Sequence, residues 1–442
     1  MAFNKSLLAA RHHIVFLIGL MSALVIAFAI ESREYKRVLG NITFEASEEI
    51  PFKESRVLSS KEYDWATIAW QYFENNYQEN TGLVNSVDGY PSTTMWDTAS
   101  YLMGLIAAEK INVVTQDVFT LRMEKALTTL ARLPLVDGKL PNKVYNTQTL
   151  EMVDYANNPQ EYGIGWSAID IGRILVPINI LVWQYPQFNK QVNDILNHWK
   201  ISEMLIDGYM YGARNLHEGS QEMELVQEGR IGYEEYASKS LALMGRDVFN
   251  SMKYIDFLNL VDIYGVEIPT DYRDPDKYHA HNYVVSESYI LDSIEFGADS
   301  VSKVFAHRVY KAQENRFEDT GILTAVSEDN VDEEPYFVYN TVFSDGKKWN
   351  AISDDGKDQS HLKTLSTKAA FGWYALYDAK YTDLLIDATS DLYTEEKGWY
   401  SGRYESDQRI NKAITANTNG IVLESLAYIE NGPLLKVGES DK

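Results

Sequence analysis

Cysteine is absent from this chain of 442 residues. That excludes disulfides, thiolate metal sites, a cysteine nucleophile and a lipid-modified cysteine anchor. Basic residues are scarce, with 40 Lys and Arg against 64 Asp and Glu, a formal charge of −24. Nucleic acid and anionic membrane surfaces repel such a chain, because phosphate binding needs clustered Lys and Arg. Neither a glycine-rich phosphate loop nor a Gly-x-Ser-x-Gly nucleophile turn occurs, and no cofactor is indicated. Aromatics are plentiful: 30 Tyr, 16 Phe and 9 Trp. They suit a large aromatic core or a surface that stacks on flat ligands such as sugar rings.

Residues Ile14 to Ile30 form an uncharged apolar run preceded by Lys5, Arg11, His12 and His13. The run is near the short limit for a spanning helix. It also has the positive start and the small-x-small triplet Ala27-Phe28-Ala29 of a secretory signal. Both readings send the rest of the chain out of the cytoplasm, to the periplasm, either anchored to the inner membrane or released by cleavage. The expected organisation is a signal peptide or anchor over 1–30, a linker over 31–60, one large domain over 61–432 and a flexible tail over 433–442.

Beyond the linker, apolar residues recur at three- and four-residue spacing, as in Val118, Leu121, Ala126, Leu127 and Leu130. This spacing predicts twelve helices, near 62–77, 96–110, 115–132, 166–184, 188–205, 232–246, 249–262, 284–296, 299–316, 365–378, 380–391 and 417–430. Short and long connections alternate between them. The long ones hold most of the Gly, Pro, Asn and Tyr, including hairpin-like pieces such as Asp207–Gly212 and Gly398–Gly402. Alternate connections of antiparallel neighbours lie at opposite ends, so the long loops gather at one end. The expected fold is all-α: six helical hairpins closed into an (α/α)6 barrel, with small β-hairpins in the long loops. An open solenoid needs more regular repeats than these.

Carboxylates, aromatics and amides cluster where the inner helices begin. Glycosidic cleavage needs one carboxylic acid to protonate the leaving oxygen and one carboxylate as base or nucleophile. Asp97, Glu228 and Glu234 are the candidate catalytic set, with Glu234 or Glu228 as the acid and Asp97 as the base. Trp96, Trp166, Asp170, Arg230, Tyr233, Glu287, Lys368, Trp373, Trp399, Arg403, Tyr404, Asn417 and Asn419 are candidate sugar contacts. Plainer roles compete: Asp97 and Ser366 as helix caps, Trp96 and Trp166 as core, Asp170 paired with Arg173 at i+3, and Glu235 paired with Lys239. His279 and His281 have metal-like spacing without an evident carboxylate companion, so no metal is assigned. Ser327-Glu328-Asp329-Asn330 and Asp354-Asp355-Gly356 lack the spacing of a calcium loop and read as solvated.

Read together, TGLVNSVDGYPSTTMWDTASYL, GIGWSAIDIGRIL, EGRIGYEEYASKSLALMG, STKAAFGWYAL, GWYSGRYE and ANTNGIVLESLAY resemble a bacterial family of unknown function. That family has a glucoamylase-like (α/α)6 fold and is often encoded beside exopolysaccharide genes. The resemblance runs over roughly 62–431. It implies a single helical barrel and a carbohydrate role, since the family is similar to enzymes that cleave β-glucans, including β-1,2-glucans. It brings no agreed catalytic pair. The expected partner is therefore a polysaccharide or oligosaccharide, met by a hydrolase or transglycosylase. A non-catalytic glycan-binding scaffold is the second reading. A lyase using Tyr283, His281 and Arg316 is the third. Linkage, endo or exo action and oligomeric state stay open.

Overall fold

The computed structural model describes residues 19–23, 50–217, 219–273, 278 and 281–437. Two units are distinguished, residues 1–48 and residues 49–442. Of the first, the described part is the helical piece 19–23. The rest of the apolar run Ile14–Ile30 lies outside the described residues. No helix among the described residues is long and apolar enough to cross a membrane.

The second unit is built on helices α1 (Ser60–Asn75), α2 (Met95–Lys110), α3 (Gln116–Leu130), α4 (Ala168–Gln184), α5 (Asn189–His198) and α6 (Tyr233–Leu243). They are followed by α7 (Glu287–Leu291), which runs into a π turn over Asp292–Phe296, then α8 (Ser302–Thr320), α9 (Thr367–Leu376), α10 (Lys380–Thr389) and α11 (Ala416–Asn431). Two kinds of sequence make two kinds of helix. In α4 and α11 nearly every side chain is buried, as expected of a helix covered on all sides. In α5 only Val192 and Ile195 are buried, the single stripe of an outer helix. The wholly buried helices pack in the order α2, α4, α6, α7, α9, α11 and back to α2. This closes the inner ring of an (α/α)6 barrel.

Glycine permits that closeness. A Cβ on Gly172 of α4 would lie 2.6 Å from the Ala237 Cβ of α6. One on Gly420 of α11 would lie 2.7 Å from the Ser100 carbonyl oxygen of α2.

The short connections after α2, α4, α7 and α9 lie at one end. The long ones carry small antiparallel sheets, such as Gly212–Asn215 with Met223–Val226, and Glu328–Asn330 with Phe337–Asn340. One expected helix is not formed. Residues 258–271 are a hairpin, Leu258–Ile263 paired with Val266–Asp271. Its turn residues Tyr264 and Gly265 both have positive φ (52° and 77°), the signature of a tight two-residue turn. The run Leu258–Ile263 ends in β-branched Val261 and Ile263, which suit a strand, and Pro269 in the second strand cannot belong to a helix interior. The hairpin packs on α8. Both ends of the expected barrel also extend. Residues 50–59, read as linker, bond to the barrel through Lys53 N to the Leu376 carbonyl and Arg56 N to the Ile429 carbonyl, both 2.8 Å. Residues 433–435, read as tail, are pinned by Leu434 N to the Ile294 carbonyl (3.0 Å) and Leu435 N to the Glu295 carbonyl (2.9 Å).

The fit at Gly172 yields a prediction. Gly172→Ala adds a methyl where α6 has no room to yield, which costs about 1–3 kcal/mol as overpacking against a helix-propensity gain near 1 kcal/mol. The urea midpoint is expected to fall with an unchanged slope. An unchanged or higher midpoint would show that α4 and α6 separate freely.

Candidate functional site

All six inner helices start at the long-loop end, where their free N–H groups and positive dipole ends gather. Thr94, Ser167 and Thr415 cap three of them, accepting from Asp97 N (2.9 Å), Asp170 N (3.1 Å) and Thr418 N (3.1 Å). Gly232 begins α6 at φ 99°, a conformation that favours glycine. This mouth suits carboxylates.

Its floor is a buried ionic network. Glu287 is 1% exposed. Its Oε1 accepts from Trp96 Nε1 (3.0 Å) and Asn417 Nδ2 (2.8 Å), and its Oε2 from Ser327 Oγ (3.3 Å) and the Lys368 ammonium. Lys368 also stands 3.9 Å from Asp329, which accepts from Ser366 Oγ at 3.0 Å. Burial works against the Lys368 charge, but Glu287, Asp329 and Glu328 more than offset it and raise its pKa. Burial pushes Asp329 up to about 7. Trp96, Glu287, Lys368 and Asn417, expected as sugar contacts, thus bind one another.

Arg173 lies deeper on the axis. It donates to Tyr236 Oη (2.6 Å), Glu295 Oε1 (2.7 Å), Glu424 Oε1 (3.2 Å) and Ser100 Oγ (3.4 Å), and sits 4.8 Å over the Trp96 ring. The expected Asp170–Arg173 pair is therefore not formed: Arg173 turns toward the axis and Asp170 toward the mouth.

Four carboxyls are left partly open at the mouth: Asp97, Asp170, Glu228 and Glu328. Asp97 accepts from its cap Thr94 Oγ1 at 2.8 Å, and burial raises its pKa. Asp170 accepts from Ser167 Oγ at 3.0 Å. Burial, and then the nearby Glu228, lift it to about 7. Glu228 accepts from Ala168 N at the start of α4 (2.7 Å) and lies 3.9 Å from Lys143 Nζ. Its carboxyl occupies the space of the missing side chain of Gly212, where a Cβ would approach to 2.2 Å. Burial, and then Glu287, lift Glu328 to about 8, while the neighbouring Tyr233 hydroxyl and the charges of Lys368 and Arg230 oppose the rise.

Aromatic rings line the same mouth. Tyr283 stacks on Tyr339 with centroids 4.0 Å apart, Arg230 lies 4.4 Å over Tyr283, and Tyr233 bridges Trp96 (5.6 Å) and Tyr283 (6.1 Å). Arg230 also donates to the Glu228 main-chain carbonyl at 3.0 Å, and Glu328 and Glu228 both act on its charge.

Several expected site residues belong elsewhere. Glu234 is held by Arg273 (2.8 Å) and Ser251 Oγ (2.9 Å), on the side of α6 that meets the hairpin whose last residue, Asp271, also binds Arg273. Its carboxylate is a structural anchor, not a cleft acid. Glu235 is buried and accepts from Gly232 N at 2.7 Å, while Lys239 pairs with Asp292 and Asp299. Trp166 is buried, with Nε1 bonded to the Tyr211 carbonyl at 3.1 Å. Trp373 and Trp399 are fully buried and bond Ser286 Oγ and the Trp65 carbonyl. Tyr404 is core, with Val331, Val338, Ala351 and Leu362. Asn419 ties Trp399 N to the start of α11 (2.9 Å), and Arg403 bonds the Gln408 carbonyl at 3.0 Å on its own hairpin. The lyase trio is dispersed: Arg316 is forked onto Glu405 (2.7 and 2.9 Å), and His281 pairs with Asp345 at 3.1 Å. His279 lies outside the described residues.

Glu328 escapes sequence reasoning because its segment reads as a solvated acidic loop, and Tyr339 lies in a long connection with no motif around it. The available signal is strand alternation. In Glu328–Asn330, successive side chains point to opposite faces, so Asp329 meets Ser366 below while Glu328 meets the cleft.

The chain belongs to the family described as "Protein of unknown function (DUF3131)", which matches residues 64–432. No curated protein matches it. Among solved structures it is similar to a glucoamylase candidate from Bacteroides caccae (TM-score 0.64, 11% identity, 85% of this chain and 94% of that one). It is also similar to an endo-β-1,2-glucanase from Chitinophaga pinensis in complex with sophorotriose and glucose (TM-score 0.60, 12% identity, 85% and 94%). A third is an endo-β-1,2-glucanase from Talaromyces funiculosus in complex with sophorose (TM-score 0.56, 10% identity, 85% and 84%). At these identities the likeness establishes the glucoamylase-like barrel.

The raised carboxyls make stability depend on pH. A carboxyl whose folded pKa exceeds its unfolded value, near ~4, holds its proton more tightly when folded, so stability falls as pH climbs from about 4 toward 7 or 8. For Asp170 and Glu328 the window closes at about 7 and about 8. Asp170→Asn and Glu328→Gln are expected to raise the melting temperature at pH 8.5 and to do so much less at pH 5. Equal shifts at both pH values would contradict these titrations.

Proposed function

We propose that the mouth of the barrel is the active site of a glycoside hydrolase, or a transglycosylase, acting on a neutral β-linked glucan. The observation that carries this reading is the gathering of partly open carboxyls and aromatic rings around Arg230: the Tyr283–Tyr339 stack lies beside it, and Glu328 and Glu228 both act on its charge. The endo-β-1,2-glucanases that share the fold support a β-glucan as substrate. The apolar run Ile14–Ile30 supports a site of action outside the cytoplasm, on an envelope polysaccharide, with the chain either anchored or released.

In this mechanism Glu328 is the acid. Held protonated to about pH 8, it gives its proton to the glycosidic oxygen as the bond to the anomeric carbon breaks. Glu228 is the base. Its carboxylate, fixed by the α4 N-terminus and near Lys143, takes a proton from the water whose oxygen attacks the anomeric carbon. In the transglycosylase variant an acceptor hydroxyl replaces that water. Asp97 and the protonated Asp170 bind sugar hydroxyls, and the Tyr283–Tyr339 stack and Arg230 hold the ring faces. The acid and base then exchange protons with solvent to reset. Inversion requires about 6.5–9.5 Å between the two carboxyls and retention about 5–5.5 Å.

Residues from about 50 onward, incubated with β-1,2-, β-1,3- and β-1,4-glucans, are expected to release oligosaccharides from at least one. Glu328→Gln and Glu228→Gln should each lower kcat by ~10²–10⁴ while keeping substrate binding. Full activity in both variants would remove the assignment. Binding without turnover in the unmutated protein would leave a glycan-binding scaffold.

A further inference from the structure

The turn Glu228-Gly229-Arg230-Ile231-Gly232 carries two groups of the proposed site, the base Glu228 and the cation Arg230. Glu228 reaches the start of α4, and Arg230 lies over Tyr283. The main chain of the same turn rests on buried charges that the mechanism leaves unused. Arg273 sits between two carboxylates there. Its Nη1 donates to Glu234 Oε2 at 2.8 Å, and its Nε to the two oxygens of Asp271 at 2.9 and 2.8 Å. All three side chains are at most 4% exposed.

Both carboxylates touch the turn. Asp271 Oδ2 accepts from Ile231 N at 3.1 Å. Glu234 lies so close to Gly229 that a Cβ there would stand 2.0 Å from its Oε2. Gly229 has no left-handed φ to require glycine; the missing side chain is what admits the carboxylate. Glu234 N also donates to the Arg230 carbonyl at 3.0 Å. Three consecutive residues next to Glu228 are therefore held. The holding group is itself fixed, with Ser251 Oγ donating to Glu234 Oε1 at 2.9 Å and the Arg273 guanidinium 4.1 Å over the Phe257 ring.

We propose that Arg273, bridging Glu234 and Asp271, is a positioning residue for the base: this clasp sets the place of the Glu228–Gly232 turn, and through it the reach of Glu228 to the attacking water. The clasp has this role only on the hydrolase reading above, which it deepens by naming what aims the base. Arginine suits the centre because its planar fork bonds two carboxylates at once. A buried ion set adds little stability over apolar packing, so a fixed turn is the gain it offers. Misplacing a reacting group by ~1 Å can cost ~10²-fold in rate.

The test measures kcat and KM of the full-length protein on the β-glucan that it cleaves, with thermal melts to establish that each variant is folded at the assay temperature. Glu234→Ala empties the space against Gly229, and Arg273→Met cuts the clasp while keeping a stem over Phe257. Each is expected to lower kcat about tenfold with a much smaller change in KM. Glu234→Gln keeps an acceptor for Arg273 in the same volume and should retain most of the activity, as substitution of a catalytic acid would not. In the Glu228→Gln background, Glu234→Ala should cause no further fall in kcat, because the group it aims is already gone. Where Glu234→Ala or Arg273→Met does not fold, Gly229→Ala replaces it, since the added methyl pushes the turn off Glu234 with every charge kept. The same loss of about tenfold is expected, and again none on top of Glu228→Gln. Full kcat in the folded variants, a loss that multiplies with Glu228→Gln, or Glu234→Gln as slow as Glu234→Ala overturns the clasp and leaves the hydrolase reading intact. No cleavage of any β-glucan by the unmutated protein overturns that reading and the clasp with it.

Discussion

One guanidinium holds the inner ring in register. Arg173 of α4 bonds side chains of α2, α6, the π turn after α7, and α11, so five of the six inner helices meet at one planar group. Nothing else in the described core is both so buried and so connected. Removing a charge of this kind from water costs several kcal/mol, recovered only with good geometry and satisfied partners. Two glutamates supply the partners. Burial and the neighbouring Glu295 hold the Glu424 carboxyl well above the usual range. Raising the Glu424 carboxyl in this way lessens the negative charge set against the single guanidinium.

Glu287 repeats the arrangement one layer up. Trp96 of α2, Asn417 of α11 and Lys368 of α9 all converge on its carboxylate. Together the two layers tie all six inner helices and leave the mouth above them rigid. The chemistry proposed for the mouth depends on such fixing, because catalytic groups must be held within a fraction of an ångström to act. Acidic residues divide by place. Those with cationic partners, such as Glu287 and Glu234, build the frame. Asp170, Glu228 and Glu328 stay partly open at the mouth.

Much of the barrel could be read along the chain. Buried-all-round helices such as α4 and half-buried ones such as α5 carry different hydrophobic patterns, and loop lengths alternate visibly. Eleven of the twelve expected helices form among the described residues. The exception, 249–262, failed because a short apolar run serves helix and strand equally, and the turn at Tyr264-Gly265 outweighed its helical spacing. The candidate site was legible only in outline. Asp97, Asp170, Glu228, Arg230 and Tyr233 do line the mouth, but Trp373, Trp399, Tyr404 and Asn419 are packed or bonded inside the wall.

The sequence by itself determined the class of the molecule: a helical barrel with its loops at one end and carboxylates and aromatics at the helix starts. Helix periodicity, caps and connection lengths are local, so they survive being read one residue at a time. Which way each side chain faces is not local. Asp170 and Arg173 lie one turn apart on α4, yet one turns to the cleft and the other to the axis, where Glu295 and Glu424 wait from over a hundred residues away. Only closure of the ring, by bringing those distant charges together, decided which charged groups became framework and which were left open at the mouth.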